Sequence, residues 1–72
     1  MLEGYTLKML RAKFDLTQKQ AAEKVGVSEA TWSNWEASKT FPDAMKIKRI
    51  EKEFNISYDN IIFFNPNHGL TV

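Results

Sequence analysis

Residues 16–43 read LTQKQAAEKVGVSEATWSNWEASKTFPD, and their pattern predicts two short helices joined by a tight turn. Thr17 is a suitable N-cap for the first helix, and Gln20 three residues later completes a capping box. Gly26 follows where a left-handed residue ends a helix at little conformational cost. Ser28 then caps the second helix of the pair. The stretch therefore specifies where both helices begin and where the chain bends between them.

The second helix of this pair carries both tryptophans of the chain. Trp32 and Trp35 are three positions apart, so they share one face and anchor the helix to a core. Shorter side chains lie on or near the opposite face: Glu29, Ala30, Ser33 and Asn34. This pattern is typical of a helix-turn-helix: two short helices are joined by a glycine turn, and the second helix packs one face against the core.

Outside this stretch, apolar residues also recur at helical spacing, and we predict an all-α fold of five short helices. The helices are expected at about 5–14, 17–25, 29–37, 44–54 and 58–64, with no strand. The side chains predicted to face the core are Leu7, Leu10, Phe14, Ala21, Ala22, Val25, Ala44, Ile47, Ile50, Phe54 and Ile61. The structured domain is expected to span 1–64, with 65–72 as a flexible C-terminal tail.

Length and composition limit the class of protein. Seventy-two residues make one domain, and a chain without cysteine has neither disulfides nor thiolate metal sites. The single histidine, His68, lies in the tail, and no nucleophile–base pair, carboxylate dyad or metal cluster is visible in the sequence. We therefore expect no enzyme activity, no metal and no cofactor. Because no signal peptide and no apolar run of about 20 residues appear, we expect a cytoplasmic protein without a membrane partner.

The stretch 16–43 resembles the helix-turn-helix of the Cro/repressor superfamily, also called XRE-type, and the resemblance extends over about residues 6–63. The residues that fall where the family has them are Gln18, Ala22, Gly26, Val27, Ser28, Trp35, Glu36, Lys39 and Pro42. The resemblance implies a lambda-repressor-like DNA-binding domain. The size is similar to that of small temperate-phage switch proteins, which implies a Cro-like regulator or a modulator of repression in a bacterial host cell. The expected partner is a double-stranded DNA operator, and a homodimer stays open.

The same resemblance implies which residues contact DNA. Those expected at phosphates are Gln18, Lys19, Lys39 and Thr40, and those at or near base edges are Ser28, Glu29, Ala30, Thr31, Ser33 and Asn34. Asn34 can pair bidentately with adenine. Glu29 has two readings of equal weight: it can accept a hydrogen bond from cytosine, or it complements the dipole of its helix.

Four residues are expected to have structural roles. Gly26 makes the turn and Trp35 anchors the third helix. By family resemblance, Arg11 in the first helix and Glu36 at the end of the third form a salt bridge at the rim of the core. We interpret the cluster KIKRIEK at 46–52 as a solvated helix face.

A second hypothesis is that the chain inhibits a partner repressor protein and binds DNA weakly. Residues 17–40 hold three lysines against three glutamates, whereas DNA-reading surfaces are usually positive. Trp32 stands where the family prefers a smaller residue, so part of it is expected at the surface. At least one of Phe63 and Phe64 is expected to be exposed, because four successive apolar residues cannot all point inward from one helix. The partner-binding residues under this hypothesis are Glu29, Trp32, Ser33, Phe63 and Phe64.

Overall fold

The computed structural model describes residues 4–63, which form four α-helices, one 3₁₀ turn and a two-stranded sheet. In chain order the elements are β1 (Tyr5–Thr6), α1 (Leu7–Lys13), α2 (Gln18–Val25), α3 (Glu29–Glu36), α4 (Ala44–Phe54), the 3₁₀ turn (Tyr58–Asn60) and β2 (Ile61–Ile62). The helix-turn-helix is therefore α2 and α3, which pack against each other across the turn at Gly26.

The predicted helix boundaries of the helix-turn-helix are confirmed by their hydrogen bonds. Thr17 and Gln20 form the full capping box: the Gln20 amide donates to the Thr17 hydroxyl at 3.1 Å, and the Thr17 amide donates to Gln20 Oε1 at 2.9 Å. Gly26 is left-handed, with φ of 76°. The Ser28 hydroxyl accepts from the Thr31 amide at 3.1 Å. Local side-chain chemistry thus fixes both ends of the α2–α3 turn.

The ends of α4 also follow the sequence. The Asp43 carboxylate accepts from the Lys46 amide at 2.9 Å and caps the helix. Asn55 ends it in the left-handed region, with φ of 52°. Ser57 then caps the 3₁₀ turn, and the Glu51 carboxylate reaches forward to accept from the Tyr58 amide at 2.7 Å.

The core lies between the inner faces of the four helices. Its buried apolar residues are Leu7, Leu10, Ala21, Ala22, Val25, Trp32, Trp35, Ile50, Phe54 and Ile61. Trp32 is at its centre, with 0% of its surface exposed, and its ring lies 5.8 Å from that of Trp35 and 5.9 Å from that of Phe54. The expectation that part of Trp32 reaches the surface is wrong, because the indole is enclosed by the other aromatic rings and by the packed helices.

The predicted fifth helix is also wrong. The helical turn stops at Asn60, and Ile61–Ile62 continue as a strand that pairs in parallel with Tyr5–Thr6. Pairing with a segment more than fifty positions away is invisible to local periodicity. The strand places Ile61 in the core and leaves Ile62 39% exposed, since successive strand residues point to opposite faces. The described chain is therefore mostly, but not wholly, α-helical.

Smaller corrections follow from the same pairing and from helix ends. The first helix begins at Leu7 because Tyr5–Thr6 belongs to β1. Ala44 is exposed at the first position of α4, before the helix reaches the core. Phe14, the residue that ends α1, is 40% exposed, and its ring meets that of Phe54 edge-on at 5.5 Å.

The end of the chain is described only as far as Phe63. Phe63 is half-buried against the core, and its ring lies 5.9 Å from that of Tyr58. The predictions on Phe64, on the tail 65–72 and on His68 lie outside the described residues. Within residues 4–63, no helix is long and apolar enough to cross a membrane.

Candidate functional site

One carboxylate joins three helices behind the outer face of α3. Glu36, the last residue of α3, accepts from Arg11 Nε at 2.7 Å through Oε2 and from Arg11 Nη2 at 3.3 Å through Oε1. The predicted salt bridge is confirmed, and it is bidentate. Two further donors complete the site: Trp32 Nε1 at 2.5 Å and Gln18 Nε2 at 3.1 Å. Glu36 therefore links α1, α2 and α3 through four hydrogen bonds.

The electrostatics of this site favour ionised Glu36. Burial leaves its side chain 8% exposed, which by itself opposes ionisation. The hydrogen bonds from Arg11, Gln18 and Trp32 outweigh that cost, and the pKa of the Glu36 carboxyl lies below its usual value. The hydrogen bond to Glu36 correspondingly raises the pKa of Arg11. Arg11 also donates from Nη1 to the Leu16 carbonyl at 3.1 Å, so its guanidinium fixes the α1–α2 connection as well.

The outer face of α3 carries the residues predicted to read base edges. Ser28, Glu29 and Ala30 are exposed, while Thr31, Ser33 and Asn34 are half-buried. The Ser28 and Thr31 hydroxyls share a hydrogen bond of 2.9 Å, and Ser28 also caps the helix. Both hydroxyls therefore already have partners in the protein. The side chains of the outer face that are not bonded in this way are those of Glu29, Ala30, Ser33 and Asn34.

The residues predicted at phosphates lie at the two ends of this unit. Gln18 and Lys19 form the first turn of α2, where backbone N–H groups lack partners within the helix. Gln18 uses one amide hydrogen on Glu36, which leaves its second hydrogen for another acceptor. Lys39 and Thr40 are exposed beyond α3, and their backbone amides donate to the Asn34 carbonyl at 2.9 and 3.5 Å. That pair is thereby connected directly to the end of the predicted reading helix.

The contacts change one of two predictions about this surface. Trp32 is completely buried, so it is not part of any surface for a partner protein. The neutral charge count over 17–40 includes Glu36, whose charge is matched by Arg11 outside that range. Lys24 in turn lies 3.9 Å from Glu53, which is also outside the range, so two lysines and two glutamates remain and the surface stays neutral.

Sequence reasoning missed two of the three residues that bond Glu36. Trp32 and Glu36 are four positions apart on one helix, a spacing at which side chains meet, so this bond had a readable signal. Gln18 lies on another helix, and nothing in the sequence indicates that its amide turns toward Glu36. Among residues 4–63, no cluster of histidine or acidic side chains has the arrangement of a metal site.

Comparison with known proteins agrees with this geometry. A helix-turn-helix family model matches residues 7–61, most of the described chain. The chain belongs to the XRE-like helix-turn-helix family.

Individual relatives are longer proteins. The chain is 38% identical over 56 residues to the HTH-type transcriptional activator BcrR of Enterococcus faecalis, a match over 78% of this chain and 28% of that protein. It is 34% identical over 59 residues to the HTH-type transcriptional regulator ImmR of Bacillus subtilis (strain 168), over 82% and 46% of the two chains. A match of 59% identity over 34 residues to the type II methyltransferase M.MspI of Moraxella sp covers 47% of this chain and 8% of that enzyme. The chain thus spans less than half the length of each of these relatives.

Proposed function

We propose that this protein is a sequence-specific, non-enzymatic DNA-binding transcription regulator that reads an operator with α3. The observation that carries the proposal is the asymmetry of α3 within a helix-turn-helix. Trp32, Trp35 and Glu36 fix its inner face, while its outer face presents short polar side chains. A helix held in this way can place its exposed side chains against base edges in a major groove without moving relative to the core.

The chemistry of the side chains supports separate roles for residues that read bases and residues that bind phosphates. Asn34 can donate to adenine N7 and accept from its N6 group, which makes it the residue best suited to specify one base pair. Ala30 offers a methyl group to thymine. Gln18, Lys19, Lys39 and Thr40 would hold phosphates on either side and fix the register of α3.

The biological role we propose is repression or activation within a genetic switch of a temperate phage, in the cytoplasm of a bacterial host. Its support is the resemblance in motif and size to Cro-like regulators, together with two relatives named as transcriptional regulators. A homodimer on two half-sites is the assembly typical of such domains. The modulator hypothesis loses its argument from an exposed Trp32, which is completely buried, and keeps its argument from a neutral reading surface.

The test begins with selection of duplexes from a random DNA library, followed by fluorescence anisotropy on the selected site. Asn34→Ala should weaken binding by about 1–3 kcal/mol and relax the preference at one base pair. The matched control is Asn60→Ala, which truncates an exposed asparagine of the 3₁₀ turn outside the helix-turn-helix and should leave binding unchanged.

Salt dependence gives an independent measurement on the same duplex. With few lysines near the reading helix, the slope of log K against log[salt] should be shallower than the value of about −10 for a strongly basic repressor. Failure to enrich any duplex, combined with a stable complex with a repressor protein, would contradict DNA reading and support the modulator hypothesis.

A further inference from the structure

The solvent side of α4 concentrates positive charge around an exposed methionine. Met45, Lys48, Arg49 and Lys52 recur at the spacing of one helix face, and Lys46 lies beside them. We call these five residues the basic face of α4. They line an open groove of about 390 Å³ whose other wall is Val25–Gly26, at the end of α2.

Most of the charge on this face is not matched by nearby carboxylates. Arg49 pairs with Glu53 at 3.1 Å, and Lys24 of α2 approaches the same carboxylate at 3.9 Å. No other cation of the basic face forms an ion pair within the described part of the chain. Three lysines therefore maintain a positive potential over a small area, although the whole chain carries a net charge of only +1.

Met45 is the most exposed of the large apolar side chains in residues 4–63, at 78%. It lies at the groove, with the cationic side chains around it. A flexible thioether is a good contact for an apolar side chain of varied shape, and it contributes nothing to holding a phosphate. The combination of one apolar anchor and surrounding cations fits a peptide better than a nucleic acid.

The basic face and the proposed reading face belong to different helices and share no residue. The inner face of α4 carries Ile50 and Phe54, which are buried, and the Phe54 ring meets Trp32 of α3 at 5.9 Å. Neither Trp32 nor Phe54, through which α3 and α4 meet, belongs to the basic face or to the proposed reading face. The proposed DNA contacts use no residue of the basic face of α4.

We propose that the basic face of α4 is a docking surface for an acidic segment of a partner protein, with an apolar residue of that segment covering Met45. Carboxylates of the segment would pair with Lys46, Lys48 and Lys52, which are not engaged elsewhere in the described structure. The inference stands apart from the proposed DNA reading, since it uses residues outside α3. A regulator with both surfaces could hold a second protein at the DNA site.

The test uses a displayed library of random 12-residue peptides selected on the intact protein, with the enriched peptides then synthesised and titrated by fluorescence anisotropy. Enriched sequences should be rich in aspartate and glutamate around an apolar residue. Lys48→Glu/Lys52→Glu should weaken their binding about tenfold or more, because two favourable charge pairs become repulsive. The matched control is Lys8→Glu/Lys13→Glu, which changes net charge equally on α1 and should have little effect.

A second pair of variants tests the apolar anchor. Met45→Ser should weaken the same peptides several-fold, whereas Met9→Ser, another exposed methionine, should not. All four lysines and both methionines are exposed, so these proteins should fold, as circular dichroism would verify. Asn34→Ala should leave peptide binding unchanged while weakening DNA binding, which separates this inference from the proposed function.

Three results would overturn the inference. One is enrichment of peptides with no acidic bias, or of none at all. A second is equal loss of binding in the two charge-reversal variants. The third is a different occupant: duplex DNA whose affinity depends on Lys48 and Lys52, or self-association in sedimentation that Lys48→Glu/Lys52→Glu abolishes.

Discussion

The two faces of α3 differ in what they do with polar atoms. On the inner face, the Trp32 indole is buried, the Glu36 side chain is only 8% exposed, and the two are bonded to each other. On the outer face, Glu29, Ser33 and Asn34 meet solvent or lie half-buried. Polar groups that are fully engaged rigidify a helix, whereas groups with spare donors and acceptors are available to a ligand. We therefore expect substitutions on the inner face to lower the free energy of unfolding, and substitutions on the outer face to change DNA binding.

The largest effect should come from Trp32→Ala. It removes the central side chain of the core and one donor to Glu36, and it should lower the free energy of unfolding by about 3–5 kcal/mol. Trp32→Phe keeps most of the ring but not the N–H, so it should cost clearly less. Urea denaturation followed by circular dichroism measures both. Equal costs for the two variants would show that the indole N–H, and not its volume, stabilises the fold.

The next largest effect on the free energy of unfolding is expected from breaking the Arg11–Glu36 ion pair. Glu36→Ala leaves Arg11 partly buried without its counter-ion, and it removes the acceptor for Gln18 and Trp32. The cost should be about 3 kcal/mol, near the low end for a buried pair, because Arg11 retains some contact with water.

A double-mutant cycle with Arg11→Ala would isolate the pair itself. The matched control is a cycle on Arg49 and Glu53, an exposed pair with the same charges, for which coupling of about 0.3–0.5 kcal/mol is expected. Coupling at Arg11 and Glu36 no larger than this would contradict the role given to the inner face.

The same carboxylate predicts a pH dependence. The pKa of Glu36 is lowered in the folded state, so its contribution is fully present above the ordinary glutamate value of about 4.3 and is lost as pH falls through the folded pKa. The stability difference between wild type and Glu36→Gln should therefore be constant near neutrality and shrink in acid. Urea midpoints at several pH values measure it. A difference that stays constant down to pH 3 would contradict the assignment.

The smallest expected effect is that of Glu29→Gln on the outer face. Loss of the negative charge from the first turn of α3 should cost about 0.3–1 kcal/mol of stability, since it no longer complements the helix dipole. The same change should strengthen non-specific DNA binding, because a charge that repels phosphate is removed. Glu23→Gln, an exposed glutamate late in α2, is the control. Loss of preference at one base pair would instead assign Glu29 to cytosine reading.

Much of the helix-turn-helix was predictable because its signals are local. The Thr17–Gln20 capping box, the left-handed Gly26 and the Ser28 cap each depend on residues within four positions of one another, and each is confirmed. The Arg11–Glu36 pair was predicted only through family resemblance, since no local rule joins residues 25 positions apart. The choice of DNA-contacting residues remains a prediction that rests on the same resemblance.

The failures share one physical cause. Ile61–Ile62 became a strand instead of a helix because Tyr5–Thr6 is close enough in the folded chain to pair with it. Trp32 is buried because the rings of Trp35 and Phe54 meet around it. A helical wheel shows which face of a helix a residue lies on, but not how deeply that face is buried. In both cases the outcome depends on packing between elements: β1 pairs with Ile61–Ile62, and Phe54 of α4 packs against Trp32.

By itself, the sequence determined the helices of the helix-turn-helix, their caps and the division of α3 into an apolar face and a polar face, because these depend on spacing and on side chains near one another in the chain. Only the tertiary structure decided that Gln18 and Trp32 both turn to Glu36, that Ile61–Ile62 pairs with β1, and that the basic face of α4 forms a groove with the end of α2. Those arrangements depend on distances between elements, which arise only when the helices pack.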